Sequence, residues 1–141
     1  MQNFMIRFAV PAIVALSLSA CASAPPAGRA IAVTGSIAYR ERIALPSDAK
    51  IEVRLDDVSL ADAPARTLAR QDFSAGGGQV PFRFSLDVDR AAIDPRHSYA
   101  VAARISDASG KLMFITDTRN SVAFDARSTV DLGTLMLVRT P

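Results

Sequence analysis

The sequence predicts an all-β fold, an antiparallel β-sandwich of about seven to eight short strands. Two observations predict it. From about Ile31 onward, apolar residues recur at every second position rather than every third or fourth. Short clusters of Gly, Pro, Asp and Ser punctuate these runs at the spacing of tight connections. About seven or eight short strands in roughly 110 residues argue for an antiparallel sandwich or a small barrel, with the sandwich preferred. A 3.6-residue period is found nowhere, although Asp89–Ile93 has room for one helical turn before Pro95.

The chain opens with a segment of another kind. Arg7 is the only charge before residue 29, and the apolar stretch Phe8–Leu18 runs into the small residues Ser19 and Ala20 and then Cys21. A positive start, a short apolar helix and small residues at a cut site make a secretory signal, so residues 1–20 are expected to be removed. Leu18-Ser19-Ala20-Cys21 resembles the bacterial lipobox, which implies cleavage after Ala20 and a diacylglyceryl group on the thiol of Cys21, with acylation (palmitate-like chains) of the freed amine. An uncleaved membrane span needs about 20 apolar residues. Pro11, Pro25, Pro26, Gly28 and several serines leave the apolar part too short. A buried structural cysteine is the other reading, and the Ser, Ala and Pro around Cys21 do not make a core segment. Two or more acyl chains hold stably where one holds only marginally. Residue 22 is alanine rather than the aspartate that retains lipoproteins at the inner membrane, which favours the outer membrane with the domain facing the periplasm. Residues 21–30 then form a lipidated, Pro-containing tether, and residues 31–141 the β-sandwich domain.

Within that domain Ile31, Val33, Gly35, Ile37 and Tyr39 share one phase. Ile51, Val53 and Leu55 alternate with Glu52, Arg54 and Asp56, after which the phase slips, as a bulge or a strand end at Asp56-Asp57 would produce. Phe82, Phe84, Leu86 and Val88 form a third run, Tyr99–Ile105 a fourth, Lys111–Thr116 a fifth and Thr129–Val138 the last. Asp107-Ala108-Ser109-Gly110 joins the fourth and fifth as a hairpin. Pro46-Ser47-Asp48, Gly76-Gly77-Gly78 and Asp94-Pro95-Arg96-His97 mark further connections.

Composition narrows the function classes. Without residues 1–20 the chain has 121 residues, which is one domain. It carries 16 Lys and Arg against 14 Asp and Glu, or 15 against 14 once Arg7 is gone. Basic and acidic residues alternate along it, so there is no nucleic-acid footprint. Cys21 is the single cysteine and His97 the single histidine, so neither a Cys–His pair nor a multi-histidine metal site can be built. No nucleophile-elbow pattern accompanies a Ser–His–Asp set, and His97 reads as a turn residue bonding locally or meeting solvent. Glu52, Asp56, Asp57 and Asp62 form the densest acidic cluster, but they lack the ligand spacing and glycine of a calcium loop. They read instead as a solvated strand face with Arg54 in reach for pairing. A glycosidase-like carboxylate pair drawn from the same residues is not specific, and Gly76–Gly78 lacks the lysine and helix of a phosphate loop. No catalytic residue, metal or cofactor is expected, and no enzyme.

Four segments carry a family likeness. Val33-Thr34-Gly35-Ser36-Ile37-Ala38-Tyr39-Arg40-Glu41-Arg42-Ile43-Ala44-Leu45-Pro46 comes first and Glu52–Pro64 second, followed by Val80-Pro81-Phe82 and Ile93–Tyr99. In this order and spacing they resemble the YbaY-type lipoproteins, which belong with the YscW-type lipoprotein chaperones (pilotins) of type III secretion. The likeness covers most of residues 33–118. It implies a sandwich-like domain tethered to the outer membrane and, in the secretion branch, a role in bringing a secretin ring to that membrane. The expected function is therefore a non-catalytic accessory factor acting through contacts with an envelope protein, a secretin among the candidates, at a sheet edge or groove that the sequence does not locate. The alternative is a tethered module binding a small periplasmic ligand between its sheets.

Overall fold

The computed structural model describes residues 29–141. The expected signal segment, with Leu18, Ser19 and Ala20, the acylation candidate Cys21 and the tether up to residue 28 lie outside the described residues. Eight strands account for most of the rest: β1 (Ala30–Tyr39), β2 (Lys50–Asp57), β3 (Arg66–Ser74), β4 (Phe82–Asp89), β5 (Tyr99–Ser106), β6 (Leu112–Ile115), β7 (Asn120–Val122) and β8 (Thr129–Arg139). A single 3-10 turn, Arg90–Ala92, falls where one helical turn was expected, and the Asp89 carboxylate caps it by accepting from the Ala91 N–H. The all-β expectation and the strand number both hold.

Hydrogen bonding runs through the sheet in the order β3-β2-β5-β6-β8-β1-β4, with β7 also on β5. This makes two layers, β3-β2-β5-β6/β7 and β8-β1-β4. They are joined on one side by a β6–β8 ladder of only two residue pairs, Phe114 with Arg139 and Ile115 with Val138. On the other side the edge strands β3 and β4 come close without forming a ladder. The sandwich is thus one sheet rolled almost closed.

One pairing departs from the expected antiparallel pattern, because β1 and β8 are parallel. The reason lies in β6 and β7. Both run antiparallel to β5, β6 opposite Arg104–Ser106 and β7 opposite Tyr99–Val101. They are one pass interrupted at residues 116–119, where the Thr116 hydroxyl accepts from the Ala103 N–H. The chain therefore crosses the molecule an odd number of times, and its first and last strands point the same way.

The core fills the space between the layers. Ile31, Val33 and Ile37 of β1 meet Val53 and Leu55 of β2, Val101 and Ile105 of β5, and Leu135 and Leu137 of β8, all buried. Tyr39 stacks on Phe114 with ring centroids 4.1 Å apart, a parallel contact that adds about 0.5–1.5 kcal/mol beyond the area it buries. The apolar phase slips after Asp57 because β2 ends there; the bulge beside it belongs to β3, where Leu68 is the extra residue opposite Leu55 and Asp56, while the β2–β5 ladder is unbroken. The β5–β6 hairpin is closed by the Asp107 carboxylate, which accepts from the Ser109 and Lys111 N–H groups.

A second irregularity lies in the parallel ladder. Thr34 pairs with Asp131 and Ser36 with Thr134, so β8 has one residue more than β1 over this interval. Gly133 takes it up at φ +66°, a left-handed conformation costly to residues with a Cβ. Because side chains alternate with a period of two, the extra residue flips the phase. Val130 and Leu132 pack against the core before it, and Leu135 and Leu137 after it.

Candidate functional site

The strands β3 and β4 are the two ends of the hydrogen-bonded order and do not pair with each other. Beside this edge, on the outer face of the β8-β1-β4 layer, lies an open groove of about 650 Å³ lined among others by Thr34, Ser36, Arg83, Ser85 and Thr134, with Gln71 its one residue from β3. Gln71 of β3 bridges the gap: its Oε1 accepts from the Ser85 N–H of β4 at 2.9 Å, a side chain standing where a neighbouring strand's carbonyl would be. Next to it Phe73 and Phe82 meet edge to face, ring centroids 6.1 Å apart. Antiparallel pairing turns alternate residues toward each neighbour. With the Ser85 N–H facing β3, the backbone groups of Arg83 and Asp87 face the same side, away from β1. An extended segment can add to such an edge through main-chain hydrogen bonds.

The groove floor is set by close packing. Phe84 lies against Gly35, where a Cβ would sit 2.8 Å from the ring and 2.8 Å from the Gly133 carbonyl. The Ser36 and Thr134 hydroxyls are 2.9 Å apart beside it.

The acidic cluster divides between two places. Strand alternation does turn Glu52 and Asp56 to the outside of the β3-β2-β5 layer, but the expected solvated face is not found, since both are buried. Arginines from three strands lie over them. Glu52 is reached by Arg70 at 2.7 Å, Arg104 at 2.8 Å and Arg54 at 3.4 Å. Asp56 is held by Arg54 at 3.2 Å and by the Thr67 hydroxyl at 2.7 Å. Carboxylates saturated in this way are structural; the cross-strand pairing expected of Arg54 is made instead by Arg70 and Arg104, while Arg54 bridges the two carboxylates of its own strand.

Asp57 and His97 meet across 40 positions, His97 Nδ1 lying 2.6 Å from Asp57 Oδ2. His97 sits exposed in a turn, as expected, but its bond is not local: it ties that turn to the end of β2. Ser59 donates both its hydroxyl and its N–H to Asp57 Oδ1 and accepts from the Ser98 N–H. These bonds, the Ser59 hydroxyl first and His97 next, hold the Asp57 carboxyl down at about 2. Ser59 binds the aspartate rather than the histidine, so the nucleophile–base–orienter order of a catalytic triad is not formed. Asp94 is likewise held well below the usual carboxylate range by the Arg96 guanidinium and N–H. Among the described residues no group of three His, Cys, Asp or Glu side chains is placed to hold a metal ion.

Sequence reasoning did not find the β3–β4 edge. Its one trace is β3 itself, whose weak alternation over Arg66–Ser74 is what an edge strand shows when one flank is unpaired.

Comparison with known proteins gives three results. Residues 29–133 match the family model described as type III secretion system lipoprotein chaperone (YscW). The uncharacterized lipoprotein YbaY of Escherichia coli (strain K12) is 34% identical over 147 residues, covering 91% of this chain and 77% of that protein. The solved structure of an alternative pilotin from the type II secretion system of Vibrio cholerae is similar at a TM-score of 0.69 and 48% identity, over 79% of this chain and 100% of that one.

Proposed function

The chain belongs to the YscW family of lipoprotein chaperones, as its sequence motifs predict, and we propose that it is a lipid-anchored, non-catalytic accessory factor of the bacterial outer membrane. In this reading residues 1–20 are cleaved and Cys21 is acylated. Residues 21–30 tether the domain of residues 31–141, which faces the periplasm and engages an envelope protein, a secretin being the first candidate. The observation that carries the proposal is the likeness to the type II secretion pilotin, which extends over the whole of that solved chain. The lipoprotein relative supports the anchor.

The β3–β4 edge is the surface best suited to the partner. It offers backbone groups on β4 and a displaceable side-chain bridge at Gln71. Ligand binding between the sheets finds little support, because Tyr39, Ile37, Val101, Phe114 and Leu137 fill that space.

Two experiments test the proposal. Palmitate labelling of the full chain should mark the wild type and not Cys21→Ser; processing and labelling unchanged by the substitution would remove the anchor. Photocrosslinking in intact cells from a probe at Arg83, whose side chain is exposed beside the edge, should trap an envelope protein. The same yield from a probe on the opposite layer, at Ser121, would show that the edge is not the docking surface.

A further inference from the structure

The end of the sandwich where β1 begins carries the loops 58–65, 90–98 and 123–128. The first of these presents an apolar tip. Every residue from Ser59 to Ala65 is exposed, and Leu60, at 73%, is the most exposed large hydrophobic side chain of the described residues. The loop reads Val-Ser-Leu-Ala-Asp-Ala-Pro-Ala, with Asp62 its only charge. Its base is pinned by the Asp57–Ser59 bonds, by the Ser98 N–H on the Ser59 hydroxyl and by the Val58 N–H on the Ser98 carbonyl at 2.8 Å. A leucine is thus presented to solvent from a fixed support, outside the hydrophobic core.

Arg29 enters at this same end, its carbonyl accepting from the Arg90 N–H at 2.8 Å. Eight positions separate Cys21 from Arg29, and Pro25 and Pro26 lie among them. At about 3.1–3.6 Å per residue such a segment reaches about 25–29 Å. The opposite end of the domain is farther by the length of β8, whose 11 residues at about 3.3 Å each span about 36 Å. A bilayer holding Cys21 therefore has this end within reach.

We propose that Leu60 and the 58–65 loop make a second, apolar contact with the lipid surface and so fix the tilt of the domain on its anchor. The inference rests on the acylation of Cys21 proposed above. Charge does not supply the attraction, because arginines and aspartates balance at five each over residue 29 and residues 57–66, 89–98 and 123–128. Tethering supplies it instead: an anchored loop experiences a high effective concentration of lipid, so a side chain too weak to bind from solution still engages. Tilt in turn decides which way the β3–β4 edge faces.

The chain has no tryptophan, so Leu60→Trp introduces a single probe at an exposed site. The full chain is expressed with its signal and reconstituted into phosphatidylethanolamine–phosphatidylglycerol vesicles, with and without brominated acyl chains. Ile43→Trp, in the loop at the far end, serves as the reference. Partition into Triton X-114 reports the anchor separately. With the anchor in place, Leu60→Trp emission should shift to the blue and lose intensity on bromination, while Ile43→Trp should do neither. Equal quenching of the two probes, or none, in a detergent-partitioning protein overturns the loop contact and leaves the anchor standing. Failure to partition overturns both. A blue shift seen in native envelope membranes but not in the protein-free vesicles assigns the loop to a protein partner and likewise overturns the lipid contact.

Discussion

Gly35→Ala should destabilise the domain even though the backbone at residue 35 is extended and suits alanine. The added methyl would stand 2.8 Å from Phe84 Cζ, 3.0 Å from Phe84 Cε1 and 2.8 Å from the Gly133 carbonyl oxygen. Real Cβ contacts essentially never come this close, so something must shift. The Phe84 ring is buried, and the carbonyl belongs to the β8 bulge, held between the ladder pairs Thr34–Asp131 and Ser36–Thr134, so neither neighbour moves freely. Overpacking of this kind costs about 1–3 kcal/mol, against a total stability of about 5–15 kcal/mol for an ordinary domain. At roughly 4 °C per kcal/mol for a domain of this size, the melting temperature should fall by about 4–12 °C. Urea and thermal unfolding, followed by far-ultraviolet circular dichroism on a soluble form beginning at residue 21 with Cys21→Ser, measure both. Phe84→Leu removes the ring contacts and leaves the carbonyl contact, so the two substitutions should couple by at least about 0.5 kcal/mol. Gly35→Ala within about 0.5 kcal/mol of the parent, or strict additivity with Phe84→Leu, would refute the packing argument.

Three further predictions concern neighbouring features. Gly133→Ala meets no atom within 4 Å but must hold φ +66°, so it should cost about 1–2 kcal/mol; Gly133→Asn should cost less, and equal losses in urea unfolding would count against a conformational origin. Glu52→Ala leaves three arginines without their shared carboxylate, and because these are partly exposed and can re-enter water, the loss should be about 1–3 kcal/mol rather than that of a fully buried pair. The Asp57 carboxyl titrates at about 2 in the folded chain, below its unfolded value of about 3.9. Its folded-state bonds therefore add stability above pH about 4, and that contribution is lost as the pH falls toward 2. Asp57→Asn should flatten the stability profile over this window, and a profile identical to the parent's would exclude the Ser59–His97 clamp as its source.

Much of the fold was legible because burial on one face writes itself into a strand as alternation. The runs in β1, β2, β4 and β5 each face the core on one side and solvent or a polar cover on the other, so a period of two identifies them without reference to neighbours. β3 escaped this reading. It is an edge strand with only partial burial, and Arg66, Arg70 and Asp72 give it the composition of a loop. In β8 the bulge at Gly133 breaks the phase midway, so its two halves do not line up as one alternating strand.

The sequence by itself determined the alternating strands other than β3 and β7, the turns between them and the lipobox expectation, because each depends on residues close in the chain: a phase, a dipeptide, a cut site. Only the tertiary structure decided the rest. The Asp57–His97 clamp joins residues 40 apart, the cover over Glu52 draws arginines from β2, β3 and β5, and the parallel β1–β8 pair follows from counting passes after β6 and β7 merge into one. The open β3–β4 edge is a property of two strands that fail to pair, and no local pattern records a contact that is not made. The expected anchor is written in short-range chemistry, whereas the proposed docking edge exists only once distant strands have been placed.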